Sequence, residues 1–213
     1  MHSSRIAVAA IGIYFYYSGL IEVIVRAPAK YRESNGGVFQ FLTNVAIALS
    51  LAQAVTAVVG ELTGLTVLQK LSSLLLKLSA PIEVLVSILY WSLKAINPVL
   101  VLDPHAGFVH RASLDRMLHV WPAILQTMQA VFVPYMPWDE GLTAPFFIYG
   151  VALAGYWHWV HYLYDLNGFF PYPLLEALDV KERVALFGVA GVILVTAYKG
   201  IQKLQRTYGT TAR

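Results

Sequence analysis

The stretch FQFLTNVAIALSLAQAV, residues 39–55, is apolar almost throughout, yet Thr43 and Asn44 place a hydroxyl and a carboxamide near its start. Whether that helix enters lipid or a dry protein core decides the fold, and composition answers the question. The chain of 213 residues is 58% hydrophobic and 13% charged, with a mean hydropathy of +0.61, whereas an ordinary soluble domain is about 25% charged. Several uninterrupted apolar runs reach the roughly 20 residues that a helix needs to cross a hydrocarbon core of about 30 Å. The sequence therefore reads as an all-α, polytopic integral membrane protein, a single transmembrane domain over residues 1–213.

Outward from that stretch, about six transmembrane helices in one bundle are predicted, over residues 6–25, 38–59, 81–97, 114–133, 145–165 and 184–202. The first run follows a single basic residue, Arg5, and lacks a small-residue cleavage motif before Glu22, so it reads as a retained span. The third opens with Pro81 at a favoured first-turn position and closes before Pro98. Between the second and third, residues 63–78 put Leu68, Leu71, Leu75 and Leu78 on one helical face, with Lys70, Ser73 and Lys77 away from it. That is the pattern of a helix lying in the interface, or of an extension of its neighbours. DPHAG (103–107), PYMPWDEG (134–141) and NGFFPYP (167–173) carry turn signals. The net charge of +3 is scattered, so no nucleic-acid stripe exists, and basic residues divide almost evenly between the two faces, with a slight excess favouring cytosolic termini. With no cysteine, disulfides, thiolate nucleophiles and Cys-ligated metals are excluded.

Six spans in alternating direction bring the ends of spans one, three and five to the face where two, four and six begin. Glu22, Arg26, Lys94, Asn97, His158, His161 and Asp165 therefore share a depth with Thr43, Asn44, Asp115 and His119. The opposite ends carry fewer polar groups, mainly Gln53, Glu61, Gln126 and Gln129. An ionisable group at the centre of a span costs about 2.5 to 3.5 kcal/mol on insertion scales, so such a set points to a polar site inside the bundle. The competing reading is that single members are flanks that snorkel to water. Asp115 and His119 are spaced i, i+4 and share a helix face, the arrangement in which a carboxylate orients an imidazole base. Pro122 has no N–H for the carbonyl of Leu118, which predicts a kink beside His119. Thr43 alone reads more readily as a hydroxyl bonded back to the i−4 carbonyl. The i, i+3 pair His158 and His161 suits metal ligation. Of the six histidines, however, His2, His105 and His110 fall in the terminus or a loop, too few remaining for a dinuclear oxygenase. No metal or other cofactor is expected.

Three ordered segments carry a resemblance. NGGVFQFLTNVAIAL resembles the Tyr-Gly-Gly…Lys-Phe-Leu-Thr opening of the second span in the family of androgen-induced protein and androgen-dependent TFPI-regulating protein. LDRMLHVWPAIL is similar to its Asn-His-x-x-His-Thr segment, with His119 on the second histidine, and GYWHWVHYLYDLNGFFPYPLLEAL to its Trp-Val-His-His…Gly-x-Trp-x-Tyr-Pro-Phe-Leu segment. Asp115 and Arg116 replace the Asn-His pair, Val120 the Thr, and Tyr162 the second His of the fifth span. Members of that family are intramembrane threonine hydrolases of endoplasmic reticulum or other cellular membranes. The resemblance implies hydrolysis of fatty acid esters of hydroxy fatty acids, with Thr43 as nucleophile and His119 as base. The substrate would be a branched lipid ester. Asn44 and Asn97 are then candidates for the oxyanion hole and Asp115 for a supporting group. Arg26, Lys94, Arg116, His158 and His161 are candidates for binding the lipid or its carboxylate. A transport-type protein and a non-catalytic membrane protein are the alternatives.

Overall fold

Prolines and glycines set where the apolar runs break. The computed structural model describes residues 2–102 and 111–209; the DPHAG turn, with His105 and His110, lies outside the described residues. Among these the chain is helical, without strands. The elements are α1 (His2–Arg26), α2 (Ala29–Arg32), a 3-10 turn (Gly37–Gln40), α3 (Leu42–Thr63) and α4 (Thr66–Ile96). A second 3-10 turn (Pro98–Leu100), α5 (Ala112–His119), α6 (Trp121–Phe132), α7 (Thr143–Asn167), α8 (Pro173–Ala177) and α9 (Val180–Tyr208) complete them. Four helices are long and apolar enough to cross a membrane: Ser3–Arg26, Leu42–Thr63, Thr66–Ile96 and Val180–Tyr208. α7 has 25 residues, but a run of Trp, Tyr and His fills its second half, and α5 and α6 are shorter pieces of 8 and 12 residues.

Two expectations about boundaries change. The interfacial helix at 63–78 and the span at 81–97 are one continuous helix, α4, of 31 residues with Pro81 inside it. A proline in a helix interior removes one hydrogen bond and costs about 3 kcal/mol or more. Here the Lys77 carbonyl that Pro81 leaves unpaired accepts the Tyr149 hydroxyl from α7 at 2.5 Å, so the helix continues. The span at 114–133 divides where Pro122 predicts a kink: Val120 leaves helical geometry (φ −125°, ψ −59°) between α5 and α6, and Pro122 sits in the first turn of α6.

Elsewhere the punctuation is local. Pro28 follows the end of α1, and Gly64 (φ +70°) caps α3. Gly36 (φ +78°) turns the chain toward α3, and a Cβ there would lie 2.6 Å from the Leu163 side chain, so α7 and this turn need the missing side chain. Asp179 and Glu182 cap α9 reciprocally at 2.9 and 2.8 Å.

α3 packs between α1 and α4, α6 lies against α1, α4 and α9, and α7 leans on α9. One apolar cluster joins Tyr16, Ile47, Ala54, Leu114 and Leu118; another joins Leu76, Leu85, Ala130, Tyr149, Leu194 and Tyr198. Between them runs a buried polar chain. Ser50 donates to Glu83 at 2.7 Å, Ser79 to Gln126 at 3.0 Å, Gln126 to Gln53 at 3.2 Å and Gln53 to Ser72 at 3.0 Å. At the end away from Thr43, Arg5 holds Glu61 at 3.1 Å and the carbonyls of Val133 and Pro134, while Lys77 pairs with Glu140.

Candidate active site

Thr43 is the second residue of α3, which the chain enters through an extended Phe41 (φ −85°, ψ 129°). Its position in the first turn keeps its hydroxyl at the helix start, where backbone N–H groups lack intrahelical partners. The Asn44 side chain donates to the Val38 carbonyl at 2.7 Å, which ties the 3-10 turn to α3 and holds Thr43 in place.

The other half of the site comes from the end of α4 and from α5. Tyr90 and Lys94 share a face of α4; the Lys94 ammonium is paired with the Asp115 carboxylate and donates to the Tyr90 hydroxyl at 3.1 Å. Asp115 is only 3% exposed. His119, at the end of α5, stacks on the Tyr90 ring, and its Nδ1 lies 3.1 Å from the backbone carbonyl of Asp115. A carbonyl can only accept, so Nδ1 carries the proton and the lone pair of the neutral ring falls on Nε2. The i, i+4 spacing thus fixes the tautomer through the main chain of Asp115. The carboxylate itself lies with Lys94 and orders the Tyr90 side chain that supports the ring.

The segment after α7 closes the site. The Tyr172 phenol lies beside Thr43, the backbone of Leu42 and Tyr156, whose own hydroxyl donates to the Gln40 carbonyl at 3.0 Å. Burial pushes the Tyr172 phenol up, and its neighbour Thr43 pulls the other way. Its ring packs edge-on against Phe41, centroids 5.3 Å apart.

Two cavities meet at these groups. The first has a volume of about 100 Å³ and walls that include Leu85, Val86, Leu153, Leu186 and Ala190. The second, about 110 Å³, is walled by Val23, Ala27, Tyr31, Asn44 and His119. Thr43, Tyr90, Val101 and Tyr172 border both.

The remaining sequence candidates lie apart from this junction. Asn97 is exposed and accepts the Val99 N–H at 3.1 Å. Arg26 is exposed and faces Glu22 at 3.7 Å, and Arg116 is exposed on α5. His158 is exposed beside Tyr162. His161 packs on Trp157 and Phe170 with Nδ1 2.8 Å from the Trp157 carbonyl, so the two histidines have separate surroundings. Sequence reasoning missed Tyr90, Tyr172 and Glu83. Tyr90 had a signal, its i−4 spacing from Lys94; Tyr172 lies in the NGFFPYP turn segment, where no local spacing marks it.

The fold defines a polytopic helical membrane protein, with two largely apolar cavities that share Thr43, Tyr90, Val101 and Tyr172 in their walls. The chain belongs to the FAR-17a/AIG1-like protein family, which it matches over residues 6–206. It is similar to UPF0641 membrane protein PJ4664.05 of Schizosaccharomyces pombe, 28% identical over 167 residues that cover 78% of this chain and 74% of the relative. No solved structure matches it.

Proposed function

We propose that the protein hydrolyses fatty acid esters of hydroxy fatty acids inside the membrane, through an acyl-threonine intermediate on Thr43. One observation carries this reading: Thr43 borders both apolar cavities, and His119 lines the second of them. An ester between two hydrocarbon arms fits that shape, with its carbonyl at Thr43 and one arm in each cavity.

Thr43 Oγ attacks the ester carbonyl carbon while His119 Nε2 takes the hydroxyl proton. The tetrahedral intermediate collapses, the C–O bond to the hydroxy acid breaks, and His119 returns the proton to the departing alkoxide. Water then attacks the acyl-threonine with the same imidazole as base, releasing the fatty acid and restoring the hydroxyl. Tyr172 and Asn44 line the second cavity together with Thr43, and the Tyr172 phenol is the better candidate donor to the oxyanion because the Asn44 carboxamide is engaged with Val38. Neither step asks for a metal.

The test is turnover of a branched fatty ester by detergent-purified protein, together with labelling by a fluorophosphonate probe. Thr43→Ala and His119→Ala should each abolish hydrolysis in a folded protein, Thr43→Ser should retain part of it, and EDTA should leave it unchanged. Wild-type-like turnover by a folded Thr43→Ala variant sinks the mechanism.

A further inference from the structure

The two cavities differ in one respect that assigns the arms of the substrate. His119 and Asn44 line only the second, and the first is walled by aliphatic and aromatic side chains apart from the groups shared at the junction. In ester cleavage the proton leaving Nε2 must reach the alkoxide oxygen, so the alcohol arm has to lie on the imidazole side of the carbonyl. The acyl arm, which stays bonded to Thr43 after the alcohol leaves, then extends the other way.

We infer that the acyl chain occupies the cavity walled by Val86, Leu153 and Ala190, and that the hydroxy-acid arm occupies the cavity walled by Ala27, Tyr31 and His119. This assignment rests on the hydrolase reading and deepens it. It explains how one histidine serves both half-reactions. Departure of the alcohol empties the chamber that His119 borders, water takes that place beside Nε2, and the acyl chain remains anchored in the apolar chamber. The alcohol arm also runs toward Ala27 and Pro28, the connection between α1 and α2, and toward Tyr31 of α2. Exposed Arg26, Lys30 and Arg32 are in or beside that connection, so a free carboxylate at the end of the arm is drawn to the interface and is released there. The acyl product, by contrast, has only apolar neighbours to leave through.

The experiment uses two ester series on the purified full chain: one varies the acyl length from acetyl to stearoyl on a fixed long hydroxy acid, the other varies the hydroxy-acid arm under a fixed acyl group. Ala190→Phe and the milder Ala190→Leu narrow the first cavity; Ala27→Phe and Ala27→Leu narrow the second. Ala190→Phe should lower the stearoyl-to-acetyl ratio of kcat/KM by about tenfold or more, the scale of discrimination that apolar pockets reach, and leave the dependence on the alcohol arm near that of wild type. Ala27→Phe should do the reverse, and each leucine variant should show a smaller change of the same sign. Exchanged effects, or ratios unmoved in variants that melt as wild type does, overturn the assignment while hydrolysis itself stands. Absence of wild-type turnover across both series, with no fluorophosphonate on Thr43, removes the hydrolase reading and the assignment with it.

Discussion

The imidazole of His119 lies flat on the ring of Tyr90, centroids 3.5 Å apart and planes 1° from parallel. One residue ends α5 and the other sits on α4, so the candidate base is oriented by a helix it does not belong to. The Nδ1 bond fixes its tautomer and the stack fixes its plane. Tyr90→Phe keeps the stack and removes the bond to Lys94, whereas Tyr90→Leu removes both. Hydrolysis rates should fall in the order wild type, Tyr90→Phe, Tyr90→Leu, the last by about 10²-fold, the scale of a misplaced catalytic group. A Tyr90→Leu variant as active as Tyr90→Phe would show that the stack does not position the ring.

Lys94 balances a carboxylate that is 4% exposed in its side chain. Lys94→Met leaves Asp115 buried without that cation and should cost about 3 to 5 kcal/mol, the range for breaking a buried pair from one side. Lys94→Met combined with Asp115→Leu should recover most of that loss. Thermal unfolding in detergent reads both, and equal destabilisation in the single and double variants would show that the pair is not coupled.

Tyr172→Phe deletes one oxygen at the Thr43 hydroxyl and preserves the packing on Phe41. If the phenol stabilises the charge that develops on the ester oxygen, kcat should drop by about 10² to 10³-fold, as for an oxyanion donor, with KM little changed. Steady-state kinetics separate the two parameters. A rise in KM alone would make Tyr172 a wall of the cavity and nothing more.

The far end of the bundle has its own pH response. Burial pushes the Glu140 carboxyl up, but hydrogen bonds from Lys77 and Tyr198 outweigh it and hold the group below the ordinary carboxylate range. A folded value depressed below the unfolded one means stability that is present above the unfolded value, about 4.3, and is lost as pH falls through the folded value. Melting temperature should therefore decline as pH drops below about 4.3, and Glu140→Gln should flatten that decline. An identical acid profile in the variant would assign the acid sensitivity to other carboxylates.

The sequence by itself determined the solvent and the local breaks. Runs of apolar residues long enough to span lipid made the helices, and Val120-Trp121-Pro122 divided α5 from α6 beside His119, because span length and proline chemistry act within a few residues. Thr43 and His119 were singled out by ordered motifs. Tertiary structure decided the rest, since it depended on groups that meet from distant parts of the chain. Pro81 reads as a helix start until the Tyr149 hydroxyl, 72 residues from Lys77, satisfies the carbonyl it orphans. The Asp115 carboxylate, next to His119 on the helix, is claimed by Lys94 across a helix boundary, and the orienting contact passes to its backbone. Glu83, although Ser79 and Ser87 lie four residues to either side on α4, takes its hydrogen bond from Ser50, which arrives from α3. Local sequence fixes which groups each helix carries; a hydroxyl or a carboxylate buried in lipid takes the partner that packing delivers, and that partner is set by the whole bundle.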